Sequence, residues 1–225
     1  MGQMVNLTSA DGHSFPAYVA QPTGKPRGAM VIVQEIFGLN HHIKSVADSY
    51  AADGYVSIAP AFFERVHKGL DIGYTPQDIE NGRAIMMKVD MEKVVVDVAA
   101  AVAHVKGHGK VGLVGYCWGG RVAWVSAARV DGLACTVSYY GGGVPGLASL
   151  KGKVPVMFHW AELDHAIPLD TVEAFTKAHP EVAATSFIYK GAQHGFNCDE
   201  RGSYNAEATK IARGRTNEFL LKHLG

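Results

Sequence analysis

From Met30 onward, short apolar runs alternate with longer stretches whose apolar residues recur at helical spacing. No other feature constrains the fold as tightly. A strand followed by a helix and another strand returns to the same sheet with the two strands parallel. The runs cover residues 30–33, 55–59, 111–114, 133–139, 154–159 and 184–189. Between the first two, Ile43, Val46, Ala47, Tyr50 and Ala51 hold helical spacing, and Gly54 is placed to end that helix. Met91, Val94, Val95, Val98 and Val102 predict a second helix behind Asp90 as N-cap. Residues 119–129, 171–177 and 204–224 predict three more. Ahead of all these, residues 4–8 and 14–20 read as two short strands around an Asp11-Gly12 turn. No repeat, low-complexity tract or linker divides the chain. The expectation is one α/β domain over residues 1–225, with a mainly parallel central sheet and helices on both faces. Ligands of such sheets bind beyond the carboxyl ends of the strands, so the chemistry is sought in the loops after the apolar runs.

Charge excludes several partner classes. Lysine plus arginine equals aspartate plus glutamate, at 21 each, with no basic cluster to hold nucleic acid or an anionic membrane surface. No stretch approaches the roughly 18 apolar residues of a membrane-spanning helix. The first residues, MGQMVNLTSADG, lack the charged and apolar regions of a secretion signal. Cys117, Cys135 and Cys198 are an odd number without scaffold spacing, which points to a reducing cytoplasm.

The loop after the 111–114 run reads Gly115-Tyr116-Cys117-Trp118-Gly119-Gly120. It has the form of a nucleophile elbow, with sulfur in place of the more usual serine oxygen. A strand that turns sharply into a helix strains its central residue and crowds the positions on either side, hence the glycines. The elbow sets Cys117 at a helix N-terminus, where free N–H groups and the dipole favour an anion. A free thiol is only a few per cent ionised at neutral pH, so a base should assist it. Cys135, in an apolar run, reads as core.

An elbow nucleophile is followed along the chain by an acid and then a histidine. Asp164 follows the 154–159 run, with Glu162 and Asp170 as rivals, and Asp170 reads as the cap of the next helix. His194 follows the 184–189 run between Gly191 and Gly195. Of the remaining histidines, His104, His108, His179 and His223 read as surface residues, and His41-His42 as a helix start. Cys117, Asp164 and His194 thus each follow a successive strand in the required order. His194 would take the thiol proton and later return one to the leaving alkoxide, while Asp164 fixes the imidazole tautomer. The 30–33 run ends in QEIFGLN, where such folds supply a second oxyanion N–H. The backbone N–H groups of Ile36 and Trp118 are the candidates. Glu35, a carboxylate beside this hole, opposes the charge that would develop there.

QEIFGLN at 34–40, TPQD at 75–78, VGLVGYCWGG at 111–120, YYGGG at 139–143, ELDHAIP at 162–168 and GAQHGF at 191–196 together resemble the dienelactone hydrolase (carboxymethylenebutenolidase) family of the α/β-hydrolase superfamily. The resemblance implies the α/β-hydrolase fold and a catalytic triad of Cys117, His194 and Asp164. It implies that Glu35 hydrogen-bonds the resting thiol and is displaced on substrate binding to take its proton. The implied reaction opens dienelactone to maleylacetate through a thioester, with a small lactone or ester as the only partner and no metal or organic cofactor. It further implies a monomer. Two arginines hold the substrate carboxylate in this family. Arg83 matches the first, offset by one residue. The second should follow the histidine by four positions, where this chain has Cys198, and Arg201 is the candidate from further along. Two other readings stay open: a general carboxylesterase or thioesterase with the same triad but no need for a carboxylate, and a noncatalytic redox-sensing scaffold.

Overall fold

The computed structural model describes residues 2–225. Eight strands form one sheet: β1 Gln3–Thr8, β2 Ser14–Ala20, β3 Gly28–Val33, β4 Tyr55–Pro60, β5 Val111–Tyr116, β6 Leu133–Tyr139, β7 Val156–Ala161 and β8 Ser186–Tyr189. Their spatial order is β1-β2-β4-β3-β5-β6-β7-β8. Strands β3 to β8 pair in parallel, and β2 runs antiparallel to both of its neighbours. Every residue of β3, β4, β5 and β7 is buried. Continuous apolar runs, rather than alternating ones, are what a parallel strand needs when both its faces are covered.

Helices α1 His41–Ala52 and α6 Ala206–Leu224 cover one face, packing Ile43, Ala47, Tyr50, Ala212 and Leu220 against Met30, Val114 and Val137. Helices α3 Met91–Val105 and α4 Trp118–Arg129 cover the other, with Val94, Val98 and Val122 against Val31, Val33 and Leu113. Trp124 of α4 forms a third apolar group with Phe158 and with Phe175 of α5, Leu169–Ala178. Asp90 caps α3 by accepting from Glu92 N (2.9 Å), as its sequence position predicts. No helix among the described residues is long and apolar enough to cross a membrane.

Several boundaries differ from the sequence reading. β7 starts at Val156 rather than residue 154, since Pro155 has no N–H for the ladder. A 3-10 segment, Pro180–Thr185, precedes β8 and shortens it to Ser186–Tyr189. Asp170 does not cap α5: Pro168 holds that place, and the Asp170 carboxylate accepts from Thr171 N within the first turn (2.9 Å). His179 is buried rather than on the surface, its Nε2 against Ala148 O (2.9 Å) and its Nδ1 against Glu181 (2.8 Å). One helix is absent from the sequence reading: α2, Pro76–Met86, whose few apolar residues, Ile79, Ile85 and Met86, are only partly buried against the core. Its formation is local, with Pro76 in the first turn and a Thr75–Asp78 capping box. Its one buried residue is Gly82, where a Cβ would lie 2.7 Å from Ile36 O. That close approach seats α2 over the Glu35–Ile36 loop.

Candidate active site

Cys117 sits between β5 and α4 with φ 56° and ψ −115°, a conformation costly for any residue but glycine. The bend is held from several sides. Cys117 N donates to Tyr139 O (3.0 Å), and Cys117 O accepts from Gly120 N (2.9 Å) and Gly142 N (3.3 Å). The flanking glycines are sterically required. A Cβ on Gly115 would fall 1.8 Å from Gly119 O, one on Gly119 would fall 2.5 Å from Val33 O, and one on Gly120 would fall 2.7 Å from Gly141 Cα. The thiol is left partly exposed at the start of α4.

Two loops deliver its neighbours. Leu163 N donates to Ala192 O (2.8 Å), and the Glu162 carboxylate accepts from Gly191 N (2.7 Å), so the loops after β7 and β8 are stitched together. This assigns the rival carboxylate Glu162 to a backbone contact. Asp164 is buried, and its two oxygens divide their work. Oδ1 accepts from Ala166 N (2.9 Å), while Oδ2 lies 2.7 Å from His194 Nδ1. His194 Nε2 lies 3.0 Å from Cys117 Sγ. The imidazole therefore bridges thiol and carboxylate through opposite nitrogens, as proton transfer from sulfur requires. Burial alone would favour neutral His194. The Cys117 sulfur and the Asp164 carboxylate outweigh it and push the ring up to about 10. Tyr140 packs edge-on against the ring at 5.2 Å. Among the described residues it is the other non-glycine residue with positive φ (35°). The Ile36 and Trp118 N–H groups donate to no acceptor among the described residues, which leaves both free for an anion.

Glu35 departs from expectation. Its Oε1 accepts from an Arg201 guanidinium nitrogen (3.1 Å), its Oε2 has no hydrogen-bond partner among the described residues, and the thiol faces His194 instead. A guanidinium is a far stronger partner for a buried carboxylate than a thiol. Burial works against the Arg201 charge, but Glu35 more than compensates and keeps it protonated. The same guanidinium lies over the rings of Phe37 (5.5 Å) and Tyr74 (6.0 Å). Gly195 gives it room, since a Cβ there would sit 2.4 Å from the guanidinium. Cys198, at the place where the resemblance leads one to expect an arginine, is buried beside Tyr74, and burial pushes its thiol up to about 12.

Cys117, His194, Asp164, Arg83, Arg201 and Ile36 all line one cleft of about 560 Å³. Its remaining wall is largely apolar, with Phe37, Ile79, Met86 and Leu163. Arg83 is exposed on α2 at its rim. Among the described residues, one trio could offer donors to a metal: His42, Cys198 and Asp199, within 4.8 Å of one another. His42 Nδ1 and Asp199 already bond each other at 3.1 Å, and the third member is a thiol that burial keeps neutral.

The dienelactone hydrolase family model matches residues 15–224. A carboxymethylenebutenolidase of Pseudomonas putida is 33% identical over 96% of this chain and 94% of its own. A Synechocystis protein provisionally named carboxymethylenebutenolidase is 35% identical over 92% of this chain and 91% of its own. A crystal structure of a provisionally named dienelactone hydrolase from Klebsiella pneumoniae superposes with a TM-score of 0.81 at 29% identity, covering 99% of this chain and 98% of that one. Sheet order, the bend at residue 117 and these relatives agree: the chain belongs to the dienelactone hydrolase family, has the α/β-hydrolase fold, and is a carboxylic ester hydrolase.

Proposed function

We propose that the chain hydrolyses dienelactone (4-carboxymethylenebut-2-en-4-olide) to maleylacetate, or opens a closely related small lactone or ester, with Cys117 as nucleophile. The observation that carries this is His194, held 3.0 Å from Cys117 Sγ and 2.7 Å from Asp164 in a cleft that also receives Arg201. His194 Nε2 takes the thiol proton, and the sulfur attacks the lactone carbonyl. The Ile36 and Trp118 N–H groups receive the oxyanion, a contribution on the order of 3 kcal/mol each. The imidazolium returns the proton to the ring oxygen as the C–O bond breaks, leaving a thioester on Cys117. His194 then deprotonates a water that attacks the thioester, and the thiol is restored. Asp164 holds the productive tautomer throughout. Arg201, with Arg83 at the rim, meets the substrate carboxylate. Glu35 orients Arg201; in the displaced-carboxylate scheme that the family resemblance implies, its unpartnered Oε2 would take the thiol proton in place of His194. Purified protein should consume dienelactone and p-nitrophenyl acetate. Cys117→Ala should abolish both activities and any acyl adduct visible by mass spectrometry. Undiminished turnover in that variant sinks the proposal.

The broad esterase reading has its own support in the apolar wall of Phe37, Ile79, Met86 and Leu163, and in the exposure of Arg83. Neutral and anionic esters separate the two. If Arg83→Ala and Arg201→Ala leave the preference between them unchanged, the substrate needs no carboxylate.

A further inference from the structure

Arg201 reaches the cleft from a stretch with neither helix nor strand, seven residues beyond His194. Its internal hydrogen bonds are local turns. Phe196 N donates to Gln193 O, Cys198 N to Gly195 O and Arg201 N to Cys198 O, and Asn205 N closes the loop onto Phe196 O, all within 3.0–3.1 Å. None of these fixes the loop relative to the segment carrying Glu35. The ties across that gap come from side chains: the Arg201–Glu35 pair itself (3.1 Å) and two more. Asp199 meets His42 Nδ1 at 3.1 Å, and Glu200 meets His41. The two histidines open α1, which follows directly on the Glu35–Asn40 segment. Asn40 caps α1 by accepting from Ile43 N (3.2 Å) and donates to Tyr74 Oη (2.9 Å), one of the two rings beneath Arg201.

The two pairs are unequal. His41 is almost fully exposed, and such pairs contribute little. His42 is buried, so its ring has a fixed place. Its Nε2 has no hydrogen-bond partner among the described residues, leaving Asp199 as its one hydrogen-bond partner there. Burying an imidazole for a single bond is poor packing chemistry, since an apolar side chain would fill the space without an orphaned nitrogen. α1 also has no acidic residue in its own first turn, and Asp199 and Glu200 supply negative charge near its positive end. We propose that His42 and Asp199 form a clasp that holds the 198–201 loop against α1 and so places Arg201 for substrates bearing a carboxylate. His42 is then a positioning residue for binding, not a participant in bond breaking. This rests on the reading above that Arg201 meets the substrate carboxylate.

The test compares dienelactone, which is anionic, with neutral p-nitrophenyl acetate, and measures maleate binding by calorimetry. Asp199 lies 70% exposed, so Asp199→Ala leaves the core intact, and His42→Leu attacks the clasp from the buried side. Each variant should raise the dienelactone KM and weaken maleate about tenfold, the effect of a displaced charged hydrogen bond. The kcat on dienelactone and both constants for p-nitrophenyl acetate should stay within about twofold. Asp199→Asn, which retains an acceptor for His42, should recover most of the loss. Equal changes for both esters, or no change for either, overturn the clasp. Arg201→Ala, measured alongside, separates two failures. If it weakens maleate and Asp199→Ala does not, the clasp alone is wrong. If it leaves maleate binding unchanged, the carboxylate role of Arg201 fails and the clasp falls with it.

Discussion

Removing Arg201 should damage stability more than removing both members of its pair. The Glu35 side chain is 1% exposed and that of Arg201 15%, so this is an ion pair with little water to screen it. Arg201→Met keeps much of the aliphatic stem but leaves the Glu35 carboxylate buried without its cation. Breaking a buried pair from one side costs about 3–5 kcal/mol. Loss of the contacts over Phe37 and Tyr74 adds about 1 kcal/mol. Against a total stability of about 5–15 kcal/mol, this is a large fraction. For a chain of this length it lowers the melting midpoint by roughly 10 °C or more. The double variant Glu35→Gln/Arg201→Met buries no unpaired charge and should cost only about 1–2 kcal/mol, so the coupling between the sites is at least about 2 kcal/mol. Urea unfolding of wild type, both single variants and the double variant closes the cycle. If Arg201→Met costs under about 1 kcal/mol, or if the single costs simply add, the pair is not the buried bridge described here and Glu35 is free to act elsewhere.

Gly119→Ala should prevent folding or strongly lower the melting temperature, because its Cβ would meet the Val33 and Gln34 carbonyl oxygens at 2.5 and 2.6 Å, and both are backbone atoms. Gly142→Ala, with nothing within 4 Å, should melt like wild type. Asp164→Asn should leave the fold intact but lower kcat by about 10⁴, since an amide facing His194 Nδ1 favours the wrong tautomer. Single-turnover kinetics will show whether acylation is the step affected. His194 has its pKa raised from 6.5 to about 10, so the stability it contributes is complete below pH 6.5 and lost as pH rises toward 10. Urea midpoints across that window should fall in wild type and fall less in His194→Gln, and parallel profiles would contradict the assignment.

The elbow was legible from sequence because its physics is local. Glycines at 115, 119 and 120 answer backbone atoms only a few residues away or on an adjoining strand, and chain order places Asp164 and His194 after successive strands. The strands were legible because burial on both faces leaves an unbroken apolar run. α2 was not read, because its apolar residues Ile79, Ile85 and Met86 are few and only partly buried and its close approach rests on a glycine, yet that glycine is why Arg83 stands at the rim of the cleft. Nor was the partner of Glu35. Spacing places a carboxylate beside the elbow, but which cation meets it depends on how the turns between His194 and Asn205 fold. Sequence position four after the histidine holds a buried thiol, and the guanidinium arrives three residues later through room that Gly195 provides. A charged group on a loop is positioned by what the loop's other side chains grip, and that grip joins residues 41 and 42 to residues 199 and 200 across more than 150 positions of chain. Strand and helix periods report which face is buried. They are silent on such long-range polar contacts, and the proposed placement of Arg201 depends on contacts of this kind.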